Sequence, residues 1–305
     1  EKIEKAGLCN TILLGEGDYD RAKFDKALKE AFTLEDLGLE LEKLADEGEY
    51  DLRSRRVFID ERLADAAMNV EGATGYLTYF VNSIRHEDRA TPYSMVTGMS
   101  GTELGREDII VNRWLAEDIG VDVGGEVDLE YFVPAENREL NTERRKFTVS
   151  KIVENENPIG DRELMPDFPG LADAENCSEW DPGIPVDLDK IRDKDEEYWD
   201  EYRGTPKAFV SLAVGRSMWA NRFGNLTSVR YPAKGSSKDE IAAEILENVD
   251  PSRAGLVFLN VRKQGLKAGS GSTDFGQLFL GLSMFLIAAG MILTGLVFAF
   301  GVEKR

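Results

Sequence analysis

Residues able to do chemistry are few and poorly assembled in this chain. His86 is the single histidine. It sits between Arg85 and Glu87–Asp88 in a polar stretch expected at the surface, so an HExxH zinc site is excluded and a Ser–His pair would have to run through this one residue. No GxSxG elbow is present. Asp187, Asp189, Asp193 and Asp195 invite a calcium reading. The stretch lacks the glycine and the closing glutamate of an EF-hand loop, with lysine and arginine interspersed, and a solvated acidic face is the plainer expectation. The chain holds 57 acidic residues, which leaves a glycosidase-like carboxylate pair open without singling one out. No GxxxxGK[ST] loop occurs, so a nucleotide is not held in the P-loop manner. Cys9 and Cys177 are the only cysteines and form no CxxC. An oxidising compartment permits a Cys9–Cys177 disulfide, and two buried thiols fit the count equally. Trp180, Trp199 and Trp219, with Tyr198 and Tyr202, could line a carbohydrate or lipid site or pack a loop-rich core. These residues single out no catalytic, cofactor or metal site.

The elements that carry these residues fall into two parts. Residues 275–302 hold no charge. As a helix they reach ~42 Å, more than the ~30 Å of a bilayer core, and a transmembrane helix is predicted over 273–302. Gly281, Ala288 and Gly295 recur every seven residues, with Ala299 one turn on, a stripe that would let a second helix approach closely. The four charges of residues 273–305 cancel, so the other 272 residues carry the whole net charge of −20. That balance argues against nucleic-acid binding and against docking on anionic lipid through a polybasic surface. An acidic body followed by one span, starting without Met and stopping just past the span, reads as a segment of a longer membrane protein.

The body is predicted to be α+β. Arg21 to Phe32 places Phe24, Ala27, Leu28, Ala31 and Phe32 on one helical face. Leu37, Leu39 and Leu41 alternate as a strand, Asp51–Ile59 is a second strand, Asp60 caps a helix, and Gly75–Ile84 is a third strand. Asp108–Ile119 is expected to be helical, with Ile110, Trp114 and Leu115 inward. Gly120 ends it and Gly124–Gly125 turns into strands over 126–133 and 143–153. After an irregular, Pro- and Asp-rich stretch at 154–206, strands are expected at 207–213, 226–231 and 256–261. A capping box at Ser237–Glu240 opens a helix to Asn248, and a small-residue tract, 268–273, leads to the span.

The sequence STDFGQLFLGLSMFLIAAGMILTGLVFAFGVEKR resembles the start of the FtsX-like permease domain of ABC transporters of the MacB, LolC and FtsX type. IIVNRWLAEDIGVDVGGEVDLEYF with FTVSKIVE, and the insert over 154–232, resemble the extracytoplasmic domain of the same group. Gly125 departs from the family turn, where Asp more often follows Gly124. The resemblance implies a MacB-like extracytoplasmic domain over 1–272, with a β-rich lobe inserted at about 101–206, and a cytoplasmic start at 303–305. It implies a multi-pass protein of the bacterial inner membrane whose partners are an ABC ATPase subunit, which would hold ATP and Mg, and a second or homologous permease copy. The implied function is mechanotransmission: ATP hydrolysis in the partner moves a domain that handles lipid, lipoprotein or peptide cargo. Gly269, Gly271 and Thr273 would form the coupling linker. The alternative is an FtsX-like module that activates a cell-wall hydrolase without transport.

Overall fold

The computed structural model describes residues 21–44, 48–134, 139–155, 161–250, 259–269 and 275–303. The chain divides into two units, Glu1–Gly255 and Leu256–Arg305. The first is built on a nine-stranded sheet in the order β1-β2-β9-β3-β4-β8-β5-β7-β6. Its strands are β1 (Leu39–Lys43), β2 (Glu49–Ser54), β3 (Thr74–His86), β4 (Arg89–Met99), β5 (Asp108–Asn112), β6 (Glu126–Pro134), β7 (Leu140–Val153), β8 (Ala208–Ser211) and β9 (Ser228–Pro232). The long strand β3 joins two parts. On one side it pairs with β4 along most of its length. On the other, its start (Thr74–Tyr76) pairs with β9 and its end (Ser83–Arg85) with β6. The second contact closes β3, β4, β8, β5, β7 and β6 into a hydrogen-bonded ring, and the first attaches β9, β2 and β1 as an open flank.

Local signals set the element boundaries. The Asp60 carboxylate accepts the Arg62 N–H (3.1 Å) to start α2 (Glu61–Met68). Ser237 and Glu240 cap one another at the start of α6 (Lys238–Asn248). The helix α1 (Arg21–Ala31) is tied to α6 by Lys29 Nζ, which donates to the Glu247 carbonyl at 3.2 Å. The helix expected over 108–119 is corrected: residues 108–112 are β5, and only α3 (Arg113–Ile119) is helical. Asn112 explains the switch, because its carboxamide accepts the Leu115 N–H (2.9 Å) and so starts the helix at Arg113 rather than at Asp108. Ile109, Ile110 and Val111 are β-branched and all buried, which suits a strand covered on both faces. Likewise β2 stops at Ser54 rather than running to Ile59, and the strand expected over 207–213 shortens to β8 before α5 (Leu212–Trp219). α5 lies flush on β4: a methyl group at Gly98 would come within 3.1 Å of Gly215 Cα.

One apolar core runs from the flank through the ring, from Leu39 and Leu52 to Val127 and Phe147. Trp219 stacks on Tyr79 (5.3 Å between centroids, 3° between planes) and meets Tyr131 edge-on. A second cluster covers the other face of β3 and β4, where Phe80, Tyr93, Met95 and Leu171 pack with Trp180 and Ile184. The segment after β7 thus acts as a lid on the sheet, closed by α4 (Asp193–Tyr202). Fully burying one large apolar side chain contributes about 1.5–3 kcal/mol, so these two faces hold the fold.

The second unit contains α7 (Val261–Gly269) and α8 (Phe275–Glu303). The strand expected over 256–261 is corrected at its end, since Val261 opens α7; residues 256–258 lie outside the described ones. α8 is long and apolar enough to cross a membrane, and none of it is buried within the chain.

Candidate binding cleft

Three departures from ordinary strand geometry meet at the outer end of β3 and β4. The ladder pairs Val81 with Ser94 and Ser83 with Pro92, and lapses between them, at Asn82 and Tyr93. Tyr93 has φ +35°, a conformation strained for a residue with a bulky side chain. Its ring is fixed by stacking on Phe80 (5.7 Å), and its hydroxyl accepts the Asp187 N–H at 2.7 Å. The Asn82 Oδ1 atom is buried with no hydrogen-bond partner among the described residues. Native folds seldom leave such an acceptor unmet.

A cleft of about 520 Å³ opens over this point, lined by Asn82, Arg85, Tyr93, Phe132, Val186 and Arg192 among others. A neighbouring hollow of about 380 Å³ shares Ser83, Arg85 and Glu130 with it and adds Arg144, Arg145 and Lys146. The register explains the second hollow. Arg85 faces Asp128, which faces Lys146, and Ser83 faces Glu130, which faces Arg144, so charged rows cross β3, β6 and β7. Together the walls hold six basic and three acidic side chains in a chain whose net charge is −20. Arg144 is paired with Glu130 (Nε–Oε2 2.7 Å), and Arg145 donates to Ser217 Oγ (2.9 Å).

Behind the cleft lies an ionic network centred on the buried carboxylates of Asp118 and Asp195. Arg192 donates to both oxygens of Asp195 (2.7 and 2.8 Å) and to Asp118 (2.7 Å). Lys194 and Thr91 also reach Asp118. The N3 carboxylate of Asp195 accepts the Arg192 N–H, anchoring the start of α4. Lys207 is buried beside this network, with Nζ 4.1 Å from the centre of the Trp114 ring and 4.4 Å from that of Tyr198. Loss of water pulls its pKa down to about 7, against the opposing charge of Asp195. Burial likewise pushes the Cys177 thiol far above its ordinary range, helped by Glu196, which makes it a poor nucleophile. The arrangement offers recognition of polar or anionic groups.

The residues singled out in the sequence are scattered. His86 Nδ1 lies 2.6 Å from the Glu126 carbonyl oxygen and the ring is half-buried, so the expectation of plain exposure is only partly met. Asp195 is buried and ion-paired, which corrects the solvated acidic face expected of it, whereas Asp187, Asp189 and Asp193 are exposed. No group of three metal-ligating side chains occurs among the described residues. Trp180 and Trp199 meet edge-to-face (4.9 Å) as packing. Cys177 is buried, and Cys9 lies outside the described residues, as do Gly271 and Thr273 of the expected linker; Gly269 is the last residue of α7. Gly281, Ala288, Gly295 and Ala299 all lie exposed on α8. Missing from the sequence reading was the cleft itself, although the run Arg144-Arg145-Lys146 in so acidic a chain was an available signal.

No protein-family model matches the chain, and no curated protein matches it. Among solved structures, one similar chain is a domain of a protein provisionally described as a permease, from Porphyromonas gingivalis. It is 14% identical, with 68% of this chain and 73% of that chain covered, at a TM-score of 0.32.

Proposed function

We propose that this chain is a permease segment of an ABC transporter of the MacB and FtsX type, comprising its extracytoplasmic domain and the first helix of its membrane domain. The observation that carries the reading is α8: 29 apolar-rich residues, none buried, following an acidic α+β body. The body carries no catalytic role. ATP, with Mg, is bound and hydrolysed by a separate subunit in the bacterial cytoplasm, and the resulting tilt of α8 against a second permease copy moves the body and its lipid, lipoprotein or peptide cargo. In this reading Gly281, Ala288, Gly295 and Ala299 face the neighbouring helix. The MacB-like division into two subdomains belongs to the same proposal.

The test is topology. A membrane-impermeant thiol reagent applied to intact cells is expected to label a cysteine introduced at exposed Asp239, and not one introduced after Arg305. Labelling of position 239 only after lysis overturns the reading. An open, charged cleft rather than an enclosed apolar one favours a second reading, in which the body docks a protein such as a cell-wall hydrolase and moves no cargo. Recovery of a hydrolase on the cleft, lost on reversing Arg144 and Lys146 to Glu, selects that reading.

A further inference from the structure

We propose that α7 lies along the lipid headgroups where the span begins, and that Arg262, Lys263 and Lys267 bind the anionic ones. This rests on α8 crossing the bilayer and goes beyond it. Gly269 and Phe275 are six positions apart, so even a fully extended chain keeps them within ~20 Å. α7 has nine residues and is about 14 Å long. It is thus confined near the surface through which α8 passes, whatever the body does.

The composition of α7 fits that location. From Leu259 to Gly269 there are three basic residues and no acidic one, and every residue is exposed. Leu259, Val261 and Leu266 are 61%, 62% and 68% exposed, so large apolar side chains stand in water beside the cations. That mixture suits the boundary between headgroups and acyl chains. The unit Leu256–Arg305 holds five basic and two acidic residues, which leaves −23 on residues 1–255. The net charge of the whole chain, which argued against contact with anionic lipid, therefore averages two opposite parts. An anionic surface repels residues 1–255 and attracts α7. Screening in salt limits this attraction to about 8 Å, so the helix must lie down to use it, and each basic residue then contributes roughly fivefold in headgroup association.

The experiment uses the full chain in vesicles of phosphatidylcholine alone or with 30% phosphatidylglycerol, with a spin label at Gln264→Cys in a Cys9→Ser background. In vesicles containing phosphatidylglycerol the label is expected to become at least about threefold less accessible to an aqueous relaxation agent. The triple variant Arg262→Glu, Lys263→Glu, Lys267→Glu, or 0.5 M salt, should restore the value found in phosphatidylcholine. A second label at Ile287→Cys must report the bilayer interior in both vesicles; if it does not, the span has failed and the proposal for α7 with it. With the span intact, equal accessibility of position 264 in the two lipids overturns the proposal. Equal shielding in both assigns the cover to the acidic body and overturns it as well.

Discussion

Two buried cations in the body have opposite fates. Arg230, on β9 in the flank, and Lys207, just before β8 in the ring, are 2% and 4% exposed. For both, loss of water is the largest influence and acts to lower the pKa. Arg230 is nevertheless raised above its ordinary value. The Asp161 carboxylate accepts its guanidinium N–H groups side by side, one at 3.0 Å, and the charge of Asp51 adds to this. Lys207 is offered ring faces by Trp114 and Tyr198, and the charge of Asp195 does not offset its burial. Equal depth therefore does not mean equal cost; the geometry of the partner oxygens decides whether a charge is kept.

The largest effect is expected from removing Asp161. Breaking a buried ion pair from one side costs about 3–5 kcal/mol. Asp51 and Glu49 stay near Arg230, so Asp161→Ala should fall at about 3 kcal/mol. It would be read as a lower urea midpoint at unchanged m-value; a loss below about 1 kcal/mol would mean that Arg230 does not depend on this pair. The next effect concerns Lys207. The folded amine titrates near 7 and the unfolded one near its ordinary 10.5, so unfolding takes up a proton between those values. Stability should therefore rise with pH from about 7 to 9.5, by up to about 1.4 kcal/mol per unit. Above about 10 the raised pKa values of Tyr79, Tyr198 and Tyr231 reverse the trend, because those phenols ionise first in the unfolded chain. Lys207→Met should lose the rising slope and be no less stable at pH 7. The same slope in the variant would show that another group produces it.

Features legible in the sequence were those settled within a few residues. The Ser237 capping box, the Asp60 cap, the Gly120 stop at φ +72°, the alternation of Leu39 and Leu41, and the apolar run of α8 are all local chemistry. β5 was misread because Ile109, Ile110 and Val111 are buried on both faces and show no period of two. β4 is hard to read because Pro92 and Gly98 look like breaks; one sits next to the lapse in the ladder and the other where α5 approaches. The closure of the ring depends on three residues of β3 meeting β6 some forty-five positions away, which no local pattern announces. The cleft and the Arg192 network follow from that closure and from the returning segment, so their residues read as ordinary surface charges.

The smallest effect sharpens the same contrast at the surface. Arg144 and Glu130 are direct cross-strand partners with short nitrogen–oxygen contacts, much as Arg230 and Asp161 have. Here, however, the Arg144 side chain is 75% exposed. Water already solvates the guanidinium, so little is lost when the partner goes, and ordering two long side chains offsets most of the attraction. A double-mutant cycle with Arg144→Ala and Glu130→Ala should give a coupling of about 0.2–1 kcal/mol, shrinking in 0.5 M salt. The corresponding cycle at Arg230 and Asp161 should be several times larger and nearly indifferent to salt. Equal couplings at the two pairs would mean that exposure is not what separates them.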